Sequence, residues 1–340
     1  MSDKVIIIAE AGVNHNADAD MARRMIVAAK EAGADYVKFQ TAVPELVISS
    51  VAPKAEYQKE LTGDGESQLE MCRKLHFPIE FYRELKAFCN EVGIGFMSTP
   101  FDLVSLDFLI QLGTDYIKIP SGEITNLPFL RKVAESRIPV ILSTGMSTLH
   151  EVERAVRVLS DYPSPGKGVR KQDITVLQCN TQYPTPYSDV NLLAMPAMGN
   201  ALGVKTGYSD HTKGIEVPIA AVALGATVIE KHFTLSRTLP GPDHKASLEP
   251  DELKEMVTSI RHIEETLGNG RKEVSPSEKD NIIVARKSLV AARDIHKGEI
   301  FSYDNLAVKR PGNGISPWEI DNVVGKTATR DFPYDSLIEL

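Results

Sequence analysis

Val5-Ile6-Ile7-Ile8-Ala9-Glu10-Ala11-Gly12 (residues 5–12) is an apolar run of strand length that ends in a carboxylate, with Asn14 and His15 just beyond it. A strand tip that simply met solvent could carry any polar residue, whereas a tip facing an active site needs particular ones. The stretch by itself fits either reading, so its neighbours decide. Seven further β-rich runs follow: YVKFQT (36–41), GFMSTP (95–100), YIKIPSGE (116–123), VILSTGM (140–146), ITVLQCN (174–180), KTGYSDH (205–211) and TVIEKHF (227–233). Amphipathic segments lie between them, among them DMARRMIVAAKEAG (20–33), IEFYRELKAFCNEVG (79–93) and TLHEVERAVRVLS (148–160). Near-continuous apolar strands alternating with helices predict a parallel sheet covered by helices. Eight such units predict an α/β fold, a (β/α)8 TIM barrel over residues 5–267. No G-x-G-x-x-G or G-x-x-x-x-G-K-[ST] motif follows any of the runs, which argues against a doubly wound nucleotide-binding sheet.

In such a barrel the C-terminal strand ends converge on the active site. Here they supply Glu10, Lys38 with Gln40, Ser98 with Thr99, Lys118 with Ser121 and Glu123, Ser143, Asn180, Ser209 with Asp210 and His211, and Glu230 with His232. A buried ring of Lys, Glu and His costs too much desolvation to persist as packing alone. Glu10 therefore reads as one wall of a polar pocket.

The composition is that of an ordinary globular protein, 42% hydrophobic and 25% charged over 340 residues. The net charge is −8 with no basic block, which points away from nucleic acid and from anionic membranes as partners. The apolar run near the start is too short and too soon interrupted for a signal peptide, and no run approaches the ~20 apolar residues of a membrane span. Cys72, Cys89 and Cys179 form no CxxC motif and leave one thiol over in any disulfide scheme. A reducing cytoplasm is the expected location.

Residues 1–268 are expected to form the barrel domain, closed by the helix EPDELKEMVTSIRHIEETLG (249–268). Residues 269–282, GNGRKEVSPSEKDN, have linker chemistry. Residues 283–340 read as a small, mostly β module with short strands, Gly turns and one brief helix. About 55 residues make a marginal unit alone, so this module is expected to dock on something. The unit between the second and third strands is oversized, and its stretch VAPKAEYQKELTGDGESQ (51–68) reads as a long substrate loop.

His211 and His232 end the seventh and eighth runs. Neighbouring strand ends can bring two imidazoles to one ion, and two His with nearby oxygens suit a divalent metal, Mn2+ above all, with Mg2+ or Co2+ as alternatives. An isolated histidine more often packs or hydrogen-bonds within a barrel; the paired placement favours ligation. Lys38, Lys118, Thr99, Ser121, Ser143 and Ser209 add cations and hydroxyls suited to a phosphate and a carboxylate. Any one of these hydroxyls could be a strand cap, an explanation that strains for all together. A Schiff-base role for Lys118 or Lys38 is the competing chemistry, since class I aldolases use strand lysines in this fold. His15, His76, His150, His262 and His296 have no such setting and read as surface or packing residues.

The motifs AEAGVNHN (9–16), VKFQT (37–41), STPFD (98–102), KIPSGE (118–123), LSTGM (142–146), QYPTP (182–186), YSDHT (208–212), EKHFTL (230–235), GPDHKAS (241–247) and VKRPGNG (308–314), in this order, resemble the bacterial sialic acid synthases over nearly the whole chain. The C-terminal module resembles the antifreeze-like (SAF) domain that completes those enzymes. The resemblance implies condensation of phosphoenolpyruvate with an N-acylated mannosamine-type sugar, phosphate leaving by C–O cleavage, to give a nine-carbon 2-keto acid. N-acetylneuraminate from N-acetylmannosamine is the leading product. A legionaminic-type acid from 2,4-diacetamido-2,4,6-trideoxymannose is the nearest rival.

The resemblance also implies residue roles. His211 and His232 hold the metal, which polarises the sugar aldehyde. Glu10 is the general acid/base; Lys38, Thr99, Lys118, Ser121, Ser143 and Ser209 contact phosphoenolpyruvate. Gln40, Glu123, Asn180, Thr181, Tyr183 and Asp243 face the sugar, and Arg310 reaches the sugar's N-acyl group from the other subunit of a domain-swapped homodimer. Some members read C-T-N-x-Y where this chain has Cys179-Asn180-Thr181-Gln182-Tyr183, which leaves open whether Asn180 or Thr181 meets the substrate. A non-catalytic sugar-binding protein is the reading from another class. A set containing Glu10, both lysines and both histidines exceeds what binding alone requires.

Overall fold

The computed structural model describes residues 4–53 and 67–340. Eight strands, β1 (Ile6–Gly12), β2 (Tyr36–Thr41), β3 (Gly95–Pro100), β4 (Ile117–Ile119), β5 (Val140–Ser143), β6 (Ile174–Cys179), β7 (Lys205–Asp210) and β8 (Val228–His232), form one sheet. Its order is β3-β2-β1-β8-β7-β6-β5-β4, every hydrogen-bonded pair is parallel, and β3 lies against β4 to close a TIM barrel. The fourth strand is shorter than its run: Pro120 has no N–H to extend the ladder, and Ser121–Glu123 turns as a 3-10 helix.

Strand alternation explains why the opening run is apolar and then acidic. Successive side chains point to opposite faces. Ile7, Ala9 and Ala11 pack outward beneath the helices, while Ile8 packs into the barrel with Met97, Ile141, Leu177 and Val228. Glu10 follows Ile8 by two positions and therefore sits on the same inner face, one layer nearer the mouth. The same step separates Met97 from Thr99, Ile141 from Ser143 and Val228 from Glu230. The apolar interior thus hands over to a polar mouth on strand after strand.

Glycine at 207 belongs to this lower layer for a steric reason. A Cβ there would lie 2.3 Å from the Val228 carbonyl oxygen and 2.7 Å from Leu177 Cδ2, and backbone in a barrel strand cannot retreat cheaply. Gly207→Ala should therefore cost about 1–3 kcal/mol of stability, as overpacking does. Thermal unfolding checks this, and an unchanged Tm would show that β8 yields.

The helices start and stop where their sequences direct. Asp18 caps the helix Ala19–Glu31 by accepting from the N–H groups of Asp20 and Met21, and Thr148 with Glu151 forms a capping box on Leu149–Asp161. The helix Phe81–Val92 buries Tyr82, Leu85 and Cys89, a one-face spacing, and ends at Gly93 in the left-handed region (φ 78°). Of the 51–68 stretch read as a substrate loop, residues 54–66 lie outside the described residues; Ser67 and Glu70 then box the start of the helix Gln68–Leu75.

The chain divides into two compact units, Met1–Gly268 and Asn269–Leu340. The segment read as a linker groups with the second unit, and its end is helical: Ser275 and Glu278 form a capping box ahead of the helix Lys279–Ala285. Strands β9 (Ser288–Ala291) and β10 (Leu306–Lys309) pair antiparallel. Leu289, Ile295, Phe301, Phe332 and Ile338 form the small core of this unit.

Candidate active site

Strand register assembles the mouth of the barrel. Glu10 stands opposite Lys38 on one side and His232 on the other, and Ser209 stands opposite Glu230. Glu10, Lys38, Thr99, Lys118, Ser143, Ser209, His211, Glu230 and His232 are all buried, and all line one cavity of about 180 Å³. Gln40, Ser121, Thr181 and Tyr183 complete its walls. A second cavity of about 280 Å³ shares Gln40, Phe101, Tyr183 and His232 with it and adds Asp243.

The charges interlock. Lys38 Nζ lies 2.7 Å from Glu10 Oε2 and 3.6 Å from Glu230 Oε2, and donates to Thr99 Oγ1 at 2.8 Å. Lys118 Nζ lies 3.3 Å from Glu230 Oε1 and donates to Ser143 Oγ at 2.7 Å. Ser209 Oγ donates to Glu230 Oε1 at 2.9 Å, and Gln40 Nε2 to Glu10 Oε1 at 3.2 Å. Burial pushes the Glu10 carboxyl up, with Lys38 opposing and Glu230 adding to the rise. Burial works on Glu230 too, but Lys118 and Lys38 outweigh it and hold that carboxylate well down. The lysines separate for the same reason. Burial lowers Lys118, with Glu230 opposing and the neighbouring Lys38 adding to the fall, whereas in Lys38 the Glu10 and Glu230 carboxylates outweigh burial and raise it. Two lysines stand between the firmly ionised Glu230 and a Glu10 carboxyl raised to about 7, which gains or loses a proton readily near neutrality, so both ammonium groups can turn to an incoming anion.

The imidazoles are held neutral. Burial pulls His211 down to about 4 and His232 well below its ordinary value. Their ring centroids are 5.5 Å apart. His211 Nδ1 donates to the Asn180 carbonyl, which leaves Nε2 with its lone pair; the Tyr183 hydroxyl lies 2.9 Å from that nitrogen. His232 Nδ1 is buried without a hydrogen-bond partner, with Asp243 Oδ2 at 3.9 Å. Burial raises Asp243 to about 6. Among the described residues no group of three or more His, Cys, Asp and Glu converges as a metal site. Two neutral imidazoles, one with an orphaned nitrogen, fit a divalent ion that takes its remaining ligands from water and substrate.

Some expected residues stand elsewhere. Thr181 lines the cavity, whereas Asn180 turns its side chain to the Gln182 N–H at 2.7 Å and serves His211 through its carbonyl. The Glu123 carboxylate accepts from Asn126 Nδ2 at 2.6 Å and is absent from the walls of both cavities. Arg310 belongs to the C-terminal unit, is exposed, and donates from Nε to the Ala285 carbonyl at 3.1 Å. Glu230 carries more of the site than a strand-end residue first suggests, bridging both lysines; its signal was the i, i+2 spacing to His232. His15 is a fully buried packing residue stacked on Phe77, while His150, His262 and His296 are exposed.

Residues 25–272 match the model of the NeuB family, and residues 286–339 match the SAF domain. The chain belongs to the NeuB family. It is an enzyme, a transferase of the kind in which NeuB synthases condense phosphoenolpyruvate with a sugar. It is similar to the N,N'-diacetyllegionaminic acid synthase of Campylobacter jejuni, 51% identical over 98% of this chain and 99% of that one. The enzyme of the same name from Legionella pneumophila is 48% identical over 94% of this chain and 89% of that one. A crystal structure of the N-acetylneuraminic acid (sialic acid) synthetase of Leptospira borgpetersenii, in complex with citrate, superposes with a TM-score of 0.70 at 36% identity, covering 82% of this chain and 90% of that one. Among the described residues of this NeuB chain, no helix is long and apolar enough to cross a membrane.

Proposed function

We propose that this chain joins carbon 3 of phosphoenolpyruvate to the aldehyde carbon of an N-acylated mannosamine-type sugar, forming a nine-carbon 2-keto acid and free phosphate. The observation that carries this reading is the buried pocket of two lysines and four hydroxyl groups beside two neutral imidazoles. Lys38, Lys118, Thr99, Ser121, Ser143 and Ser209 hold the phosphate and carboxylate through charge-assisted hydrogen bonds. His211 and His232 would hold a divalent metal, Mn2+ for preference, and bound there it supplies Lewis-acid polarisation of the aldehyde oxygen. As the carbon–carbon bond forms, positive charge develops at carbon 2 of phosphoenolpyruvate and Glu230 lies close by to offset it. Water adds at carbon 2, Glu10 moves its proton, and phosphate leaves with the bridging oxygen. Solvent ¹⁸O should then enter the keto acid and not the phosphate.

The second cavity bears on the sugar. Val13, Ala42, Val47, Ile48, Met71, Leu75 and Phe101 give it an apolar wall, suited to a 6-deoxy methyl and a second N-acetyl methyl. That wall, and the names of the relatives at 51% and 48% identity, favour 2,4-diacetamido-2,4,6-trideoxymannose and a legionaminic-type product. N-acetylmannosamine, giving N-acetylneuraminate, is the second reading, supported by the name of the Leptospira structure. Purified protein with Mn2+, phosphoenolpyruvate and a panel of both sugars should turn over both, with kcat/KM about tenfold or more higher for the diacetamido sugar. Condensation with neither would overturn the proposal. A reversed preference would overturn only the choice of sugar.

The second unit is proposed to complete the site across a two-fold homodimer, Arg310 meeting the sugar's N-acyl group in the other subunit, an arrangement that symmetry makes reciprocal. The exposed Arg310 and the motif VKRPGNG support this reading. Mixing inactive Arg310→Ala chains with inactive His232→Ala chains should restore activity, because each mixed dimer then holds one intact site. Exchange of subunits without recovery would mean that each barrel uses its own module. The three thiols, Cys72, Cys89 and Cys179, are unpaired, in keeping with a proposed cytoplasmic setting.

A further inference from the structure

The outer face of β7 and β8 holds a second charged pair that the chemistry above leaves unused. Asp210 and Lys231 are fully buried and stand directly opposite each other across the two strands. Neither is among the walls of the mouth cavity. The Lys231 ammonium donates to Asp210 Oδ2 at 2.5 Å and to the Thr212 carbonyl at 2.6 Å. Asp210 accepts in turn from the Thr212 N–H and from the Thr212 hydroxyl, each at 3.0 Å. Residues 210 and 212 flank His211, and Lys231 is the residue before His232. One buried ammonium therefore holds the side chain before one imidazole and the carbonyl after it, while being bonded through the chain to the other imidazole.

Stability does not explain such a pair. Burying two charges costs as much as their attraction returns, and well-packed apolar residues at the same place are often as stable or more so. What an ion pair adds over an apolar one is direction: charge-assisted bonds of fixed length set the offset of two strand tips, which dispersion contacts leave looser. At these tips the offset fixes the separation of two rings, now 5.5 Å between centroids.

We propose that Lys231, Asp210 and Thr212 form a positioning clamp that holds His211 and His232 at the spacing needed to share one divalent cation. The inference rests on the two-histidine reading of the metal site. Groups that hold metal-ligating side chains in place typically change metal affinity by about 10- to 100-fold when removed.

The test measures Mn2+ affinity of the full chain from the free-ion electron paramagnetic resonance signal, with thermal unfolding alongside. The double variant Lys231→Met/Asp210→Leu should bind Mn2+ about 10- to 100-fold more weakly, with a lowered Tm because the buried Thr212 N–H, hydroxyl and carbonyl lose their partners. A purely structural role predicts the same lowered Tm with unchanged affinity, and that result overturns the clamp. Should the double variant fail to fold, Thr212→Val decides, since it deletes one hydroxyl from the clamp: a several-fold loss of affinity supports the proposal and unchanged affinity overturns it. His232→Ala separates the two possible failures. Mn2+ binding indifferent to His232→Ala removes the metal reading and the clamp together. Binding that needs His232 but ignores the clamp variants removes the clamp alone.

Discussion

Chelation should abolish turnover, and Mn2+, Co2+ or Mg2+ should restore it. His232→Ala should lower kcat/KM by about 10³-fold or more, equivalent to ~4 kcal/mol of transition-state stabilisation. The reason lies in the state of the two rings. Burial keeps His211 and His232 neutral, one tautomer is set by the Asn180 carbonyl, and one His232 nitrogen has no protein partner. A buried polar atom left without a partner is costly unless a ligand meets it. His150→Ala, at an exposed position, is the control and should change neither rate nor metal dependence. Full turnover by metal-free protein would defeat the prediction and bring back an imine route. Burial lowers the Lys118 ammonium, so borohydride with pyruvate would then label that residue; with the direct condensation it labels nothing.

Glu10→Gln should lower kcat by about 10²- to 10⁴-fold, the range of a general acid/base, while the KM for phosphoenolpyruvate stays level or falls. The sign of the second effect follows from the charges. Glu10 Oε2 lies 2.7 Å from Lys38, so loss of its charge leaves that lysine freer to meet an anion, with Glu230 still 3.6 Å away to share it. The amide has the shape of the acid, and Tm should change little. A kcat within a few-fold of the parent would remove Glu10 from the proton transfer. A raised KM with unchanged kcat would make it a binding residue.

The barrel was legible because its signal is local and repeated. Eight β-rich runs, each with polar residues at its C-terminal end, report burial and facing through a period of two, and that period needs no knowledge of partners. The helices were equally open to reading, since Asp18, Ser67 and Thr148 cap the chain segment that follows them directly. The polar mouth followed from the fold. In a (β/α)8 barrel the C-terminal strand tips converge whatever their exact distances, and Lys38, Lys118, His211 and His232 lie there.

Other features depended on which tips become neighbours. Glu230 was visible as a polar residue two before His232, yet its bridge to both lysines exists only because β8 sits between β1 and β7 while Lys118 reaches across from β4. The exchange of Asn and Thr at 180 and 181 could not be resolved by composition. The turn after β6 brings Thr181 to the cavity wall and gives the Asn180 carbonyl to His211. The Asp210–Lys231 pair was hidden in the same way, each partner unremarkable until the β7–β8 register set them opposite. Sequence by itself determined the periodicity, and with it the barrel, its inward faces and the kinds of side chain at its mouth. Only the tertiary structure decided who pairs with whom, because ion pairs and hydrogen bonds act over a few ångströms and strand order and register set those distances.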